Sequence, residues 1–323
     1  MVCPLGAGMV EITSLEYLLV ADAENALGST ANLKILVPDV LTGIEGFVAA
    51  FDALAKAWEG VTGHDEAAKV ANAWIEGQGM GGKAGFHMLR DATLLGPDPD
   101  EDETRAAQKQ LHRTIAILVR AHLTNRIRRD FLFGLSDLFR LRVSGAHGYL
   151  RLQCETVAQL VLMRGRPGVA PDWLNALDHQ EGRLFYKARH RRIKQIIRAL
   201  GLHHTYDQAS NEALHSRPGG ISRGLLIGGK TRLPGEVRLA YQEIDDPRLL
   251  LFELLPYLRF HLGLLELLDK LYPEIAPEAL AAIPRDECRQ FLDRAGEKAV
   301  QHRKQMGKRG VLLALGGNEA LGE

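Results

Sequence analysis

Apolar residues recur along most of the chain with the spacing of one helical face. Segments 11–27 and 44–59 place apolar side chains at i, i+3, i+4 and i+7, which is the period of an amphipathic helix. A shorter third helix is predicted over 64–76. Residues 77–85 contain five glycines in nine positions and therefore predict a loop after this helical series.

The longest helical pattern lies in the middle of the chain. Residues 104–163 contain no proline, so they predict one long helix or a pair of helices. Two apolar runs within 224–242 are separated by Gly-Gly and Pro-Gly, which is typical of a small hairpin. Further helices are predicted over 173–200, 205–215, 248–271 and 285–306. We therefore predict an all-α, multi-helix bundle with a long central helix or helix pair and at most one small β-hairpin.

Composition narrows the class of protein. The chain has 323 residues, 46% of them hydrophobic and only 13 of them proline, which favours a packed core over disorder. Three widely spaced cysteines predict neither a disulfide framework nor a zinc site. The most apolar segment, 249–272, contains Glu253, Arg259, His261, Glu266 and Asp269 among its polar residues, so it predicts a buried core helix rather than a membrane span. The first residues lack the basic stretch of a secretory signal, and we expect a cytoplasmic protein without membrane contact.

Charge is balanced over the whole chain but not along it. Forty basic and forty acidic residues cancel overall. Residues 1–100 nevertheless carry a net charge of −9 and residues 101–200 a net charge of +10. We predict an acidic N-terminal helical region (1–98) packed on a basic helical core (99–222), followed by the hairpin and C-terminal helices (223–323). The sequence leaves open whether these regions form one continuous domain.

One polar stripe crosses the predicted helix at 140–158. At 100° per residue its members fall within an arc of about 80°, surrounded by leucines and valines. They are Arg140, Ser144, His147, Arg151 and Glu155. The stripe fits a ligand-binding or catalytic cleft, but also an internal network of ion pairs or a face turned to water.

A second group of polar residues follows at 206–220. His215 is predicted to end a helix, where the helix dipole favours its protonated form, unless it only caps that helix. Arg217 and the Gly219-Gly220 backbone next to it offer donors to an anion. The resulting hypothesis is a polar site in which Arg151, Glu155 and His215 are catalytic. Its binding residues are Arg140, His147, Tyr206, Ser210 and Arg217.

The two polar groups together resemble the motif of one protein family. The pair Arg151-x3-Glu155 in an apolar helix, followed by Tyr206-x3-Ser210-x4-His215 and a glycine turn, is similar to an uncharacterised family of all-helical bacterial proteins of unknown function. The resemblance covers about residues 130–220. It implies an α-helical bundle in which the Arg, Glu and His approach one another, and it implies no particular activity.

The run 183–198 is the strongest candidate for nucleic-acid binding. It contains seven cations and no acid in sixteen residues. A helical line of cations suits contacts with successive phosphates. The line is formed by Lys187, Arg191, Lys194 and Arg198. The alternative is a solvated face, or one that docks on the acidic N-terminal region of the same chain.

The sequence gives weaker support to other kinds of site, or excludes them. HEPN-type helical ribonucleases use Arg-x(4–6)-His, and Arg142-x4-His147, Arg198-x4-His203 and Arg198-x5-His204 fit that spacing. One Glu-x-x-His motif is too few for a di-iron bundle, so we predict no metal and no cofactor. Three function classes remain: a polar ligand or catalytic site, a nucleic-acid-binding module or ribonuclease, and an interaction scaffold without catalysis. The sequence does not decide whether the chain is an enzyme. The partners it admits are RNA or DNA, and a second copy of the chain.

Overall fold

A computed structural model describes residues 15–77, 102–166, 168–175, 179–213, 225–227, 237–239, 250–272 and 275–314. The helices are α1 (Leu15–Leu36), α2 (Val40–Thr62), α3 (His64–Gly77), α4 (Asp102–Phe139), α5 (Val143–Gly165), α6 (Val169–Asn175), α7 (His179–Ala199), α8 (His203–Ala213), α9 (Leu250–Leu271), α10 (Pro277–Ala281) and α11 (Arg285–Ala314). Two short strands, β1 (Leu225–Ile227) and β2 (Val237–Leu239), pair antiparallel with Leu225 opposite Leu239. The predicted all-α class is confirmed.

The centre of the fold is the helix pair α4 and α5. The predicted helical stretch 104–163 breaks at Leu141, whose φ of 62° lies in the left-handed region. The backbone N–H groups of Leu141 and Arg142 donate to Leu138 O and Asp137 O at 2.9 and 2.8 Å, which closes α4. The stretch is therefore two helices joined by a tight turn.

Glycines let the neighbouring helices approach α4 closely. A Cβ at Gly145 of α5 would collide with the carboxylate of Asp137, which lies over the first turn of that helix. A negative charge is favoured there by the helix dipole. A Cβ at Gly134 would collide with the Tyr257 hydroxyl of α9. Small residues at these two positions thus hold α5 and α9 against α4.

One hydrophobic core connects all three predicted regions. The cluster of buried residues runs from Leu33 of α1 to Ala299 of α11 and includes residues of α2, α4, α5 and α9. Ten of the 22 residues of α9 are buried, and eight of these ten are leucines, as expected for the most apolar segment. The division of the chain at 98 and 222 stays a prediction. Among the described helices, none is both long enough and apolar enough to cross a membrane.

The acidic N-terminal helices contact the basic core through α4. Asp52 of α2 pairs with Arg128 of α4. Asp39, which precedes α2, lies 2.8 Å from Arg294 of α11. The basic helix α7 instead packs on α5, α6 and α8. The acidic segment 1–100 therefore forms an ion pair with the basic segment 101–200 at α4.

Candidate functional site

Three of the predicted site residues meet where α5 packs on α8. Arg151 Nε lies 3.2 Å from Glu155 Oε1, one turn further along α5. Tyr206 of α8 donates its hydroxyl to the same Glu155 oxygen at 3.1 Å. The Arg151 guanidinium carbon lies 5.4 Å from the centre of the Tyr206 ring, which is cation–π distance. We call Arg151, Glu155 and Tyr206 the carboxylate cluster.

The carboxylate cluster is largely removed from water. The Glu155 and Arg151 side chains are 11% and 23% exposed, and Tyr206 is buried. Burial, together with the charge of Glu155, raises the pKa of Tyr206 above its ordinary value. The phenol therefore stays protonated as a donor. A carboxylate that receives an arginine and a phenol from two helices ties α5 to α8.

Three further residues of the predicted site, two from the stripe and one from the second polar group, do not join the carboxylate cluster. Ser210 donates to the backbone oxygen of Tyr206 at 2.6 Å, so its hydroxyl bonds within α8. His147 Nε2 lies 3.8 Å from Glu253 Oε2 of α9. Arg140 lies in the turn before α5, because that helix begins only at Val143. The prediction that Arg140 shares a helical face with Arg151 is wrong.

Two predicted residues cannot be placed. His215 and Arg217 lie outside the described residues. The predicted approach of His215 to Arg151 and Glu155 therefore stays a prediction. Without it, the described carboxylate cluster holds a single carboxylate, that of Glu155, which already accepts from two donors.

A buried polar relay was missed by the sequence analysis. Gln153 of α5 donates its amide to Ile127 O of α4 at 3.0 Å, and its Oε1 lies 2.9 Å from His261 Nε2 of α9. His261 Nδ1 lies 2.7 Å from Tyr257 O. Both oxygens facing the ring are acceptors, but burial lowers the pKa of His261 to about 3. A neutral ring therefore donates to one acceptor at a time.

The sequence did contain a signal for this relay. Gln153 and His261 are uncharged polar residues inside helical segments rich in leucine, and both are fully buried. Buried polar groups in such surroundings need partners on other helices. The relay thus links α4, α5 and α9 and belongs to the core rather than to a ligand site.

The basic helix α7 has two distinct faces. Ile193, Ile196 and Ile197 are buried against α5 in a small cluster around Cys154, whose pKa burial raises to about 12. The opposite face is exposed and carries the four predicted cations, Lys187, Arg191, Lys194 and Arg198. We call these four residues the basic face. Within the part of the chain that the structure describes, no carboxylate pairs with any of them. The alternative in which α7 docks on the acidic N-terminal region is not seen among the described residues.

The candidate Arg-x(4–6)-His pairs of the ribonuclease motif differ in how exposed their side chains are. Arg142 directly precedes α5, but His147 is buried against α9. Arg198 and His204 are both exposed on either side of the turn at Gly201, whose φ is 74°. Of the three pairs with this spacing, only Arg198 and His204 have both side chains exposed and could reach a polynucleotide.

Neither metal-binding groups in the described residues nor similar proteins give a further indication of function. In the described residues, no group of three or more His, Cys, Asp or Glu side chains could hold a metal ion. Comparison of the chain with family models, curated proteins and solved structures finds no match. The functional argument therefore depends on the geometry described above.

Proposed function

We propose that this protein binds nucleic acid through phosphate contacts along the basic face of α7. The observation that carries the proposal is a line of four exposed cations without a carboxylate partner among the described residues. The neighbouring Arg189 shows the contrast, because it pairs with Asp172 of α6. Cations left for solvent on a fixed helix are suited to an external polyanion.

The geometry of the basic face suits a phosphate backbone. At 100° per residue, Lys187, Arg191, Lys194 and Arg198 fall within an arc of about 60°. They extend over about 16 Å at 1.5 Å per residue, which is the length of several successive phosphates. The three buried isoleucines on the other side of α7 hold this line against α5.

The carboxylate cluster supports a structural role beside this function. Its arginine and its tyrosine both donate to Glu155, and the cluster joins α5 to α8 while α7 packs on both helices. We propose that it fixes the relative position of α5 and α8, the two helices on which α7 packs. Sequence-independent backbone binding requires no catalytic group, and the proposal makes no claim of enzyme activity.

Binding to labelled DNA and RNA across a salt series tests the proposal. Four phosphate contacts predict that log K falls with log salt by a slope of about −3 to −4. The variant Lys187→Gln/Arg191→Gln/Lys194→Gln/Arg198→Gln should abolish most of the affinity and most of the slope. All four side chains are exposed, so the fold should remain.

A matched control separates the basic face from net charge. The variant Lys34→Gln/Lys298→Gln/Arg303→Gln/Lys304→Gln removes four exposed cations from α1 and α11. It should bind nucleic acid nearly as wild type does. Equal weakening in both quadruple variants would mean that only net charge matters, and no binding by wild type at low salt would overturn the proposal.

A further inference from the structure

An aromatic pair lies open on the outer surface of the central helix pair. Phe133 of α4 is 49% exposed, although phenylalanine is usually buried. Its ring centre lies 5.9 Å from that of Tyr149 of α5, with the planes tilted by 53°. The Arg129 guanidinium carbon lies 5.9 Å from the Phe133 centre, and 52% of that side chain is exposed. We call Phe133, Tyr149 and Arg129 the aromatic platform.

The surrounding charges leave the arginine only weakly engaged. Arg126 and Arg129 both lie 3.4 Å from the buried carboxylate of Asp130, so two cations share one anion. The carboxylate of Asp137, also near Tyr149, lies over the first turn of α5. An exposed ring with a half-exposed guanidinium beside it is the surface on which an unpaired base stacks.

The platform and the basic face lie on opposite sides of α5. Tyr149 and Ala158 are nine residues apart, which is about 180° around the helix. Ala158 belongs to the apolar cluster beneath α7. A ligand that touches both surfaces must bend around the bundle. A duplex is too stiff, since its persistence length is about 150 base pairs, whereas a single strand is flexible and has unpaired bases.

We infer that the aromatic platform stacks an unpaired nucleobase, so that the nucleic acid bound by this protein is single-stranded. This inference rests on the proposed function, because the basic face supplies the phosphate contacts. The platform supplies the contact that a duplex cannot make. It selects strand type rather than base sequence, since every base has an aromatic face.

The test compares three labelled ligands of equal phosphate number. They are an oligothymidylate of roughly 20 nucleotides, longer than the about 4–16 covered by one single-strand-binding fold, the matching abasic strand, and a duplex. Wild type should bind the oligothymidylate most tightly. Phe133→Leu keeps an apolar side chain but removes the ring, and should weaken oligothymidylate binding about tenfold. The same variant should bind the abasic strand as wild type does.

A conservative variant and the ligand set separate the two proposals. Phe133→Tyr keeps the aromatic ring and should retain oligothymidylate affinity. If Phe133 acted only through its bulk, the effects of Tyr and Leu would not depend on whether the strand carries bases. Unchanged oligothymidylate binding by Phe133→Leu, or tighter binding of the duplex, would overturn the inference while phosphate binding stands. Failure of all three ligands to bind would instead overturn the proposed function itself.

Discussion

Two neighbouring helices use their polar side chains in opposite ways. On α5, Glu155 receives an arginine and a tyrosine, and Gln153 is bonded at both ends of its amide. On α7, the basic face has no carboxylate partner among the described residues. Desolvated polar groups are tolerable only when they are paired, while exposed cations keep their hydration. The paired polar groups Gln153 and Glu155 on α5 therefore serve the fold, and the basic face of α7 is available to a ligand.

The largest effect should come from removing the charge at the centre of the carboxylate cluster. Glu155→Gln leaves Arg151 without its counter-charge in a site where that side chain is only 23% exposed. Breaking a buried pair in this way typically costs about 3–5 kcal/mol, and the residual exposure of Arg151 places the expected loss at about 3 kcal/mol. Chemical denaturation of the variant beside wild type measures this loss.

A double variant separates the unpaired charge from the lost packing. Glu155→Gln/Arg151→Met removes both charges and should recover part of the stability lost by Glu155→Gln alone. If Glu155→Gln is as stable as wild type, the cluster does not tie α5 to α8. The contrast between the two helices would then disappear.

The second prediction concerns acid and the buried relay. His261 has a folded pKa of about 3, whereas an unfolded histidine has a pKa of about 6.5. Between these values the unfolded chain binds more protons, so stability falls as the pH falls. From pH 7 to pH 5 this one group should remove about 2 kcal/mol. The measurement is the free energy of unfolding against pH for wild type and for Gln153→Leu/His261→Phe.

The difference between those two curves isolates His261, because groups that titrate in both proteins cancel. Wild type should lose stability more steeply below about pH 6.5. Parallel curves would show that His261 is not held neutral in the folded protein.

The all-α fold could be predicted from sequence, but its central break could not. Periodicity located most helices because apolar faces repeat every 3.6 residues. The turn between α4 and α5 has the sequence Arg140-Leu141-Arg142, with no glycine or proline to mark it. The positive φ of Leu141 is imposed by the packing of the two helices, which local sequence does not contain.

Three residues of the carboxylate cluster could be named from the sequence, but the contacts among them could not all be predicted. Spacing alone placed Arg151 and Glu155 one turn apart, and their pair was confirmed. The bond from Tyr206 to Glu155 joins residues 51 positions apart, and it depends on how α8 packs. Charge sums likewise suggested acidic helices as a partner for α7, whereas α4 is the helix that receives Asp52. The net charge of a segment does not say which of its residues lie next to which others.

A smaller effect should follow from removing one donor of the carboxylate cluster. Tyr206→Phe deletes the hydroxyl that donates to Glu155 and leaves the ring in place. A hydrogen bond to a charged group contributes about 1.5–3 kcal/mol to stability. Because Arg151 still neutralises the carboxylate, we expect the free energy of unfolding to fall by about 1.5 kcal/mol. The variant should also abolish the alkaline destabilisation expected from a tyrosine whose folded pKa is raised, because the unfolded phenol ionises first. A double-mutant cycle with Glu155→Gln measures the coupling; additive losses would contradict the contact.

The smallest effect, and the one opposite in sign, should come from the basic face. Lys187–Arg191 and Lys194–Arg198 are like-charge pairs at i, i+4, and Arg191–Lys194 is one at i, i+3. Each such pair destabilises a helix by about 0.2–0.5 kcal/mol, and glutamine has a similar helix propensity to lysine and arginine. Changing all four to glutamine should therefore stabilise the protein by about 0.5–1 kcal/mol at low salt while it removes nucleic-acid affinity. The gain should vanish at high salt, where the repulsion is screened. A loss of stability in this variant would mean that the four cations have partners within the protein, and the contrast between α5 and α7 would be wrong.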